Sequence, residues 1–351
     1  MKACLIIDDM NLSDHNYGGT NHIHDLAVSL QKKGIETTIF SFSNNEEKIK
    51  AAFTNALSNT TASFPIRFFK NSRSILKHVA YFKECDIIHS VSWSSIPALR
   101  VVSLKTKVPF LFHSLNSLKT PNAGSNHYKK IMLSLFSPDH VAFCDRNSQR
   151  SYQSEINKVS SSYLPNPVDT ELFYPVQKRF SNTFLFASSL TKAKGFHDVI
   201  SAFERVHAKY KTVQLLVAGK GSLLSLAKET EGVTYLGSIS HANMPTVFNK
   251  ADVLLNPSYF EGFSLTVLEA LSAGLPVITT AVGGHRILEE EHSAMIIDSG
   301  DIDSLEAAMF DIIINKELRL KLKRNGRNFV MKNHSWSLIL QRVSQLYEQI
   351  C

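Results

Sequence analysis

Cysteine is scarce and scattered. The four cysteines, Cys4, Cys85, Cys144 and Cys351, stand far apart and form no C-x-x-C pair. That spacing argues against a zinc ribbon or a disulfide framework, and a reducing cytosol fits it. Long apolar runs are lacking too. The first run, Ala3–Ile7, stops at Asp8 and Asp9. It is too short for the hydrophobic part of a signal peptide and reads as a buried strand. No stretch approaches the roughly 20 apolar residues of a membrane span. The sequence has no low-complexity segment and no repeat of solenoid period. It carries no nucleic-acid motif, so nucleic acid is not an expected partner. His22 and His24 are two apart and share no helix face, and no other ligand cluster is visible, so no metal is expected.

What is present is ordinary globular material. Of 351 residues, 44% are hydrophobic and 20% charged, enough apolar content for two cores. The net charge of +7 is unevenly placed. Residues 1–170 hold 19 Lys and Arg against 13 Asp and Glu; residues 171–351 hold 19 against 18. A basic first half suits an anionic substrate or membrane surface, and equally a merely solvated basic face.

Strands and helices alternate along the chain. Ala3–Ile7 is followed by Gly18-Gly19, a helix from about Thr20 to Lys33, and a strand over Ile35–Phe40. Short apolar runs at Ile87–Ile88, Val108–Phe112, Val141–Phe143 and Tyr163–Leu164 continue the pattern. Two prolines in Leu164-Pro165-Asn166-Pro167 mark a linker. Beyond it, strands are expected at Thr183–Ala187, Val213–Ala218, Val233–Leu236, Val253–Leu255 and Pro276–Thr279, with helices between. Late helices are expected at Ile302–Ile314, Glu317–Met331 and Trp336–Ile350. This is an α/β chain of two doubly wound halves, in which ligands bind beyond the carboxyl ends of parallel strands.

The segment Tyr259–Ala270 leaves the strand ending near Asn256 and enters a helix. Gly262 permits close backbone approach. Free N–H groups near Phe263, Ser264, Leu265 and Thr266 favour an anion such as a diphosphate. Glu261 precedes them and Glu269 lies one turn inside the helix, so one carboxylate can reach a sugar and the other a ribose. A capping Glu261 and an exposed Glu269 are the plainer alternative. Two other strand-to-helix passages contain Ser189, Lys192, Lys194 and Gly195, and Gly219-Lys220-Gly221. The latter is neither a Walker loop nor a full G-x-G-x-x-G.

EGFSLTVLEALSAGLPVI, with its Glu-x7-Glu spacing, resembles the signature of the retaining glycosyltransferases of family 4, which have the GT-B fold. The likeness extends to LPNPVDTELFYP as the interdomain segment, to the Gly-Gly loop AVGGHRIL and to HSWSLILQRVSQLYEQI as a closing helix. It implies a GT-B-like fold of two Rossmann-like domains facing a cleft. Residues 1–165 are then expected to bind the acceptor and 166–335 the nucleotide sugar, with 336–351 crossing back to the first domain.

The resemblance also implies roles. Glu261 contacts the donor sugar and Glu269 the ribose. Lys194 faces the leaving phosphate, with Lys192 beside it. Ser189 stands where the family usually has Arg, and a hydroxyl does not replace a bidentate guanidinium. Gly219 resembles the glycine turn near the nucleotide, and Leu236 the segment whose backbone contacts the base. Gly18 and Gly19 resemble the loop approaching the donor phosphate or acceptor. His113 resembles a strand-end histidine on the sugar.

The expected reaction moves a sugar, with retention, from a UDP- or GDP-type donor to a hydroxyl acceptor. The nucleotide sugar is a substrate, so no cofactor is expected. A carbohydrate or lipid-linked carbohydrate acceptor in bacterial polysaccharide or glycolipid synthesis is the expected class. Cytoplasmic location, with peripheral contact to an anionic inner membrane, would follow. A nucleotide-sugar epimerase on the same fold, or a non-catalytic nucleotide-binding partner, is the alternative.

Overall fold

A computed structural model describes residues 1–7, 18–41, 54–56, 72–115, 117–118 and 123–351. The chain divides into two compact units. One comprises residues 1–166 and 337–351, the other residues 167–336. The helix Trp336–Ile350 therefore belongs, apart from its first residue, to the first unit.

The first unit holds a seven-stranded parallel sheet. Its strands are β1 (Lys2–Ile7), β2 (Glu36–Ser41), β3 (Thr54–Ala56), β4 (Ile87–Ser90), β5 (Phe110–Ser114), β6 (His140–Phe143) and β7 (Ser161–Tyr163), in the order β3-β2-β1-β4-β5-β6-β7. The second unit holds β8 (Thr183–Ala187), β9 (Gln214–Ala218), β10 (Val233–Gly237), β11 (Val253–Asn256), β12 (Val277–Thr280) and β13 (Met295–Ile297), in the order β10-β9-β8-β11-β12-β13. All the pairings are parallel.

The central strands are covered on both faces, which is why they read as continuous apolar runs rather than alternating ones. In the second unit one face packs Phe184, Phe186, Val217 and Leu255 under the helices Phe196–Lys209 and Ile302–Ile314. The other packs Leu185, Leu254 and Val277 under Leu265–Ser272 and Lys316–Asn333.

Each sheet grows outward in both directions from its first strand, so the switch points lie between β1 and β4 and between β8 and β11. Loops leaving two such strands diverge and leave a crevice.

Two sequence expectations shift. Strands β3 and β13 were not expected; each has three residues, too few for a periodic signal. Strand β7 starts at Ser161 and ends at Tyr163 rather than covering Tyr163–Leu164, because register with Val141, Ala142 and Phe143 places it. The helix after β8 starts at Phe196, as expected, and Lys192–Lys194 forms a separate 3-10 turn before it.

Candidate functional site

The loops leaving the carboxyl ends of β8, β9, β10, β11 and β12 interlock. The Leu190 N–H donates to the Lys220 carbonyl (2.9 Å), and the Gly219 N–H to the Gly237 carbonyl (2.8 Å). The Tyr259 N–H donates to the Ala193 carbonyl (3.0 Å), and the Gly284 N–H to the Gly262 carbonyl (2.6 Å). The Tyr235 hydroxyl donates to the Gly219 carbonyl (3.0 Å), which fixes the β9 loop from β10.

Lys194 and Glu261 meet at the second switch point. Lys194 comes from the turn after β8 and Glu261 from the loop after β11, 67 residues later. Lys194 Nζ donates to Glu261 Oε1 at 2.7 Å, and Ser258 Oγ donates to the same oxygen at 3.0 Å. Gly195 makes the approach possible. It has φ +68°, and a Cβ there would lie 2.1 Å from the Pro257 carbonyl oxygen.

Glu269 departs from the exposed alternative: it is 7% exposed. Its Oε1 accepts from His241 Nε2 at 2.9 Å. His241 lies in the 3-10 turn His241–Asn243, and its ring meets Phe173 edge to face at 5.3 Å. Both carboxylates of the Glu-x7-Glu segment thus have a nitrogen partner from another loop.

The helix start is narrower than the sequence suggested. Ser264 caps Leu265–Ser272, its side chain accepting from the Val267 N–H. The Ser264 N–H is taken by His285 Nε2 at 3.1 Å. Leu265 and Thr266, the first two helical residues, keep N–H groups with no intrahelical acceptor. The Phe263 side chain is buried among His285, Phe329 and His334, with ring centroids 5.1–6.4 Å apart. It anchors the loop rather than presenting a face to a ligand.

His285, like His241, is a residue that sequence reasoning missed. Because Nε2 accepts from Ser264, the proton sits on Nδ1, which donates to Thr279 Oγ1 at 3.0 Å. Thr279 Oγ1 in turn donates to the Asn256 carbonyl at 2.9 Å. Burial pushes the imidazole down to about 4, against the pull of Glu261, so it is neutral at neutral pH. The signal was its place directly after Gly283-Gly284. His241, 28 residues from Glu269, had none.

Gly283 closes the arrangement. With φ +53°, a Cβ there would stand 2.2 Å from the carbonyl oxygens of Glu261 and Gly262. Gly283→Ala is expected to push the Glu261 loop away and weaken ligand binding more than tenfold, with a stability loss of about 2 kcal/mol. Calorimetric titration beside a urea melt measures both, and unchanged affinity would dismiss the contact.

The remaining expected residues divide. Ser189 and Lys192 are exposed on the β8 loop. Leu236 is partly buried on β10. Gly18 and Gly19 open the helix Gly18–Lys32, while residues 8–17 before them lie outside the described residues. The side chain of His22 likewise lies outside them. His113 lies in the first unit at the end of β5, 1% exposed, with Nε2 donating to the Leu164 carbonyl at 3.2 Å and its ring 5.5 Å from His89. Burial lowers it to about 4. Among the described residues no group of three or more His, Cys, Asp or Glu could hold a metal.

Residues 174–329 match the family described as Glycosyl transferases group 1, and residues 17–172 match Glycosyltransferase Family 4. The chain belongs to these glycosyltransferases. The enzyme's fold is GT-B. A relative in Homo sapiens, one of the subunits of phosphatidylinositol N-acetylglucosaminyltransferase, is 23% identical over 95% of this chain and 74% of its own length. Among solved structures, sucrose-phosphate synthase of Thermosynechococcus elongatus superposes with a TM-score of 0.86 at 20% identity, covering 99% of this chain and 98% of that one. Anabaena HepE in complex with UDP-glucose does so at 0.80 and 15%, covering 99% and 100%. Among the described residues no helix is long and apolar enough to cross a membrane.

Proposed function

We propose that the enzyme takes a sugar from a UDP- or GDP-type nucleotide donor held by the second unit and transfers it, with retention, to a hydroxyl acceptor. The observation that carries this reading is the Lys194–Glu261 pair at the switch point, beside the helix start at Leu265. A diphosphate there meets a lysine and two N–H groups pointing the same way. Glu261, released from Lys194 by the phosphate, accepts from sugar hydroxyls. Glu269, oriented by His241, accepts from the ribose.

In the step itself the bond from the anomeric carbon to the phosphate oxygen breaks. A bond to the acceptor oxygen forms on the same face, and the acceptor proton passes to the departing phosphate oxygen. Lys194 and the N–H groups of Leu265 and Thr266 stabilise the charge that develops there. We assign the acceptor to the first unit; His113 there is buried with Nε2 on the Leu164 carbonyl, so no sugar contact is assigned to it. A carbohydrate or lipid-linked acceptor in surface polysaccharide or glycolipid synthesis fits the basic first half, as does peripheral contact with an anionic membrane. HepE binds UDP-glucose and the human relative is named for a phosphatidylinositol substrate, which supports both parts of this reading.

A thermal-shift panel of nucleoside diphosphates and nucleotide sugars tests it, since a ligand bound only by the folded state raises the midpoint. At least one UDP or GDP compound is expected to do so. Glu269→Ala is expected to weaken that nucleotide about tenfold or more, on the order of 1.4 kcal/mol. A panel with no stabilising member, or equal affinity in the variant, would sink the proposal.

A further inference from the structure

A cavity lies at the opposite edge of the second sheet from the donor loops, where the strands begin. Its volume is about 280 Å³. Asp252 and Pro276, which immediately precede β11 and β12, line it. Strands of four or five residues put it roughly 15 Å from the donor loops at their other ends. Its apolar lining comprises the buried Phe248 and Leu275, the partly buried Phe180 and the exposed Leu320.

Its rim is cationic. Lys178, Arg179, Lys316, Arg319 and Lys323 face a single carboxylate, Asp252. The half of the chain that contains them carries only one excess positive charge, so this is a local concentration. Two of the five cations are already engaged. Lys178 pairs with Asp252 at 3.1 Å and donates to the Ala251 carbonyl. Asp252 Oδ2 also accepts from the N–H groups of Ser181 and Thr183 and from the Ser181 hydroxyl. Arg319 donates to the Ile312 and Ile313 carbonyls at the end of a helix and lies 3.9 Å from the Phe180 ring.

Lys323, Lys316 and Arg179 remain. None of the three makes a hydrogen bond or ion pair with another of the described residues. Lys323 is half-buried. Burial and the charges of Lys178 and Arg319 hold its ammonium below the usual lysine range, with only Asp252 pulling the other way. Three uncommitted cations beside that apolar lining leave like charge uncompensated, which an anion would relieve.

We propose that this cavity binds a phosphate-bearing ligand, with its phosphate on Lys323, Lys316 and Arg179 and its apolar part on Phe180, Leu275 and Leu320. Two sources share that chemistry: a soluble phosphate ester, or the headgroup of an anionic phospholipid. The site is separate from the donor loops and stands or falls independently of the transfer reaction.

The test reads Lys323 directly. The full-length protein is acetylated briefly near neutral pH, and each lysine is quantified by mass spectrometry. Inorganic pyrophosphate, at fixed ionic strength against chloride, is expected to slow Lys323 labelling roughly fivefold at four times its Kd. Labelling of the exposed Lys332 should not change. Phosphatidylglycerol vesicles, against phosphatidylcholine vesicles, form the second arm. Protection by pyrophosphate alone assigns the soluble source; protection by the anionic vesicles alone, or more strongly, assigns the headgroup. The pair Arg179→Gln and Lys316→Gln should abolish either protection and leave donor binding unchanged. Protection by neither probe, or protection undiminished in that double variant, would overturn the proposal.

Discussion

Replacing Lys194 by alanine is expected to lower kcat about a hundredfold, on the order of 3 kcal/mol of transition-state stabilisation. The phosphate leaving group gains charge as the glycosidic bond breaks. Ser189, an exposed hydroxyl, occupies the place where the family pattern offers a second cation, so more of that charge falls on Lys194. KM for the donor should rise less than kcat falls, because the contact strengthens as the bond breaks. The substitution also leaves Glu261, whose side chain is 12% exposed, with Ser258 as its remaining hydrogen-bond donor. A loss of about 1–2 kcal/mol in stability is expected from that. Steady-state kinetics of the Lys194→Met/Glu261→Gln double variant separate the two roles. If Lys194 served only to neutralise Glu261, the double variant would match Glu261→Gln alone in both stability and rate. On the phosphate reading, the two match in stability and the double variant is slower by a further factor of about a hundred. An unchanged kcat in Lys194→Ala would end that reading.

Acid is expected to unfold the first unit before the second. Three buried histidines, His113, His140 and His285, are each held down to about 4, from an ordinary value near 6.5, chiefly by burial. Their folded pKa lies below the unfolded one, so between about pH 6.5 and 4 the unfolded chain binds more protons. Stability therefore falls as pH drops through that window and levels off below it. At pH 5 each histidine accounts for about 2 kcal/mol, as an order of magnitude. Two of the three lie in the first unit and one in the second. The first unit should then lose about 4 kcal/mol against about 2 kcal/mol, a large share of the roughly 5–15 kcal/mol of an ordinary domain. Asp145, raised by burial, works in the opposite sense and offsets part of the first unit's loss. Urea titrations at pH 7 and pH 5, followed by hydrogen exchange read peptide by peptide, resolve the units. His140→Gln should flatten the pH slope of the first unit alone. Equal urea midpoints at the two pH values would refute the account.

The donor segment was legible because its chemistry is local. Glu261, Gly262, the Ser264 cap and Glu269 lie within nine residues, and a strand ending at Asn256 followed by a helix is enough to place them. Lys194 was legible by resemblance, although the 3-10 turn that carries it was not. The companions of these residues were not. His241 reaches Glu269 across 28 residues, and His285 reaches the Ser264 N–H across 21. Such pairs depend on which strands are neighbours in the sheet, and no spacing rule encodes that. The basic cavity was hidden for the same reason. Lys178 and Lys323 are 145 positions apart in a half whose net charge is close to zero, and only folding gathers them at one rim.

The sequence by itself determined the α/β class, the alternation of strand and helix, the break near Asn166 and the residue types of the donor loop. Those follow from local periodicity, prolines and capping, which act within a few residues. Only the tertiary structure decided that Lys194 and Glu261 face each other, that Glu269 is buried against His241, and that the Ser264 N–H belongs to a neutral histidine. The strand order β10-β9-β8-β11-β12-β13 makes those choices, because it sets loops from distant parts of the chain side by side at a switch point.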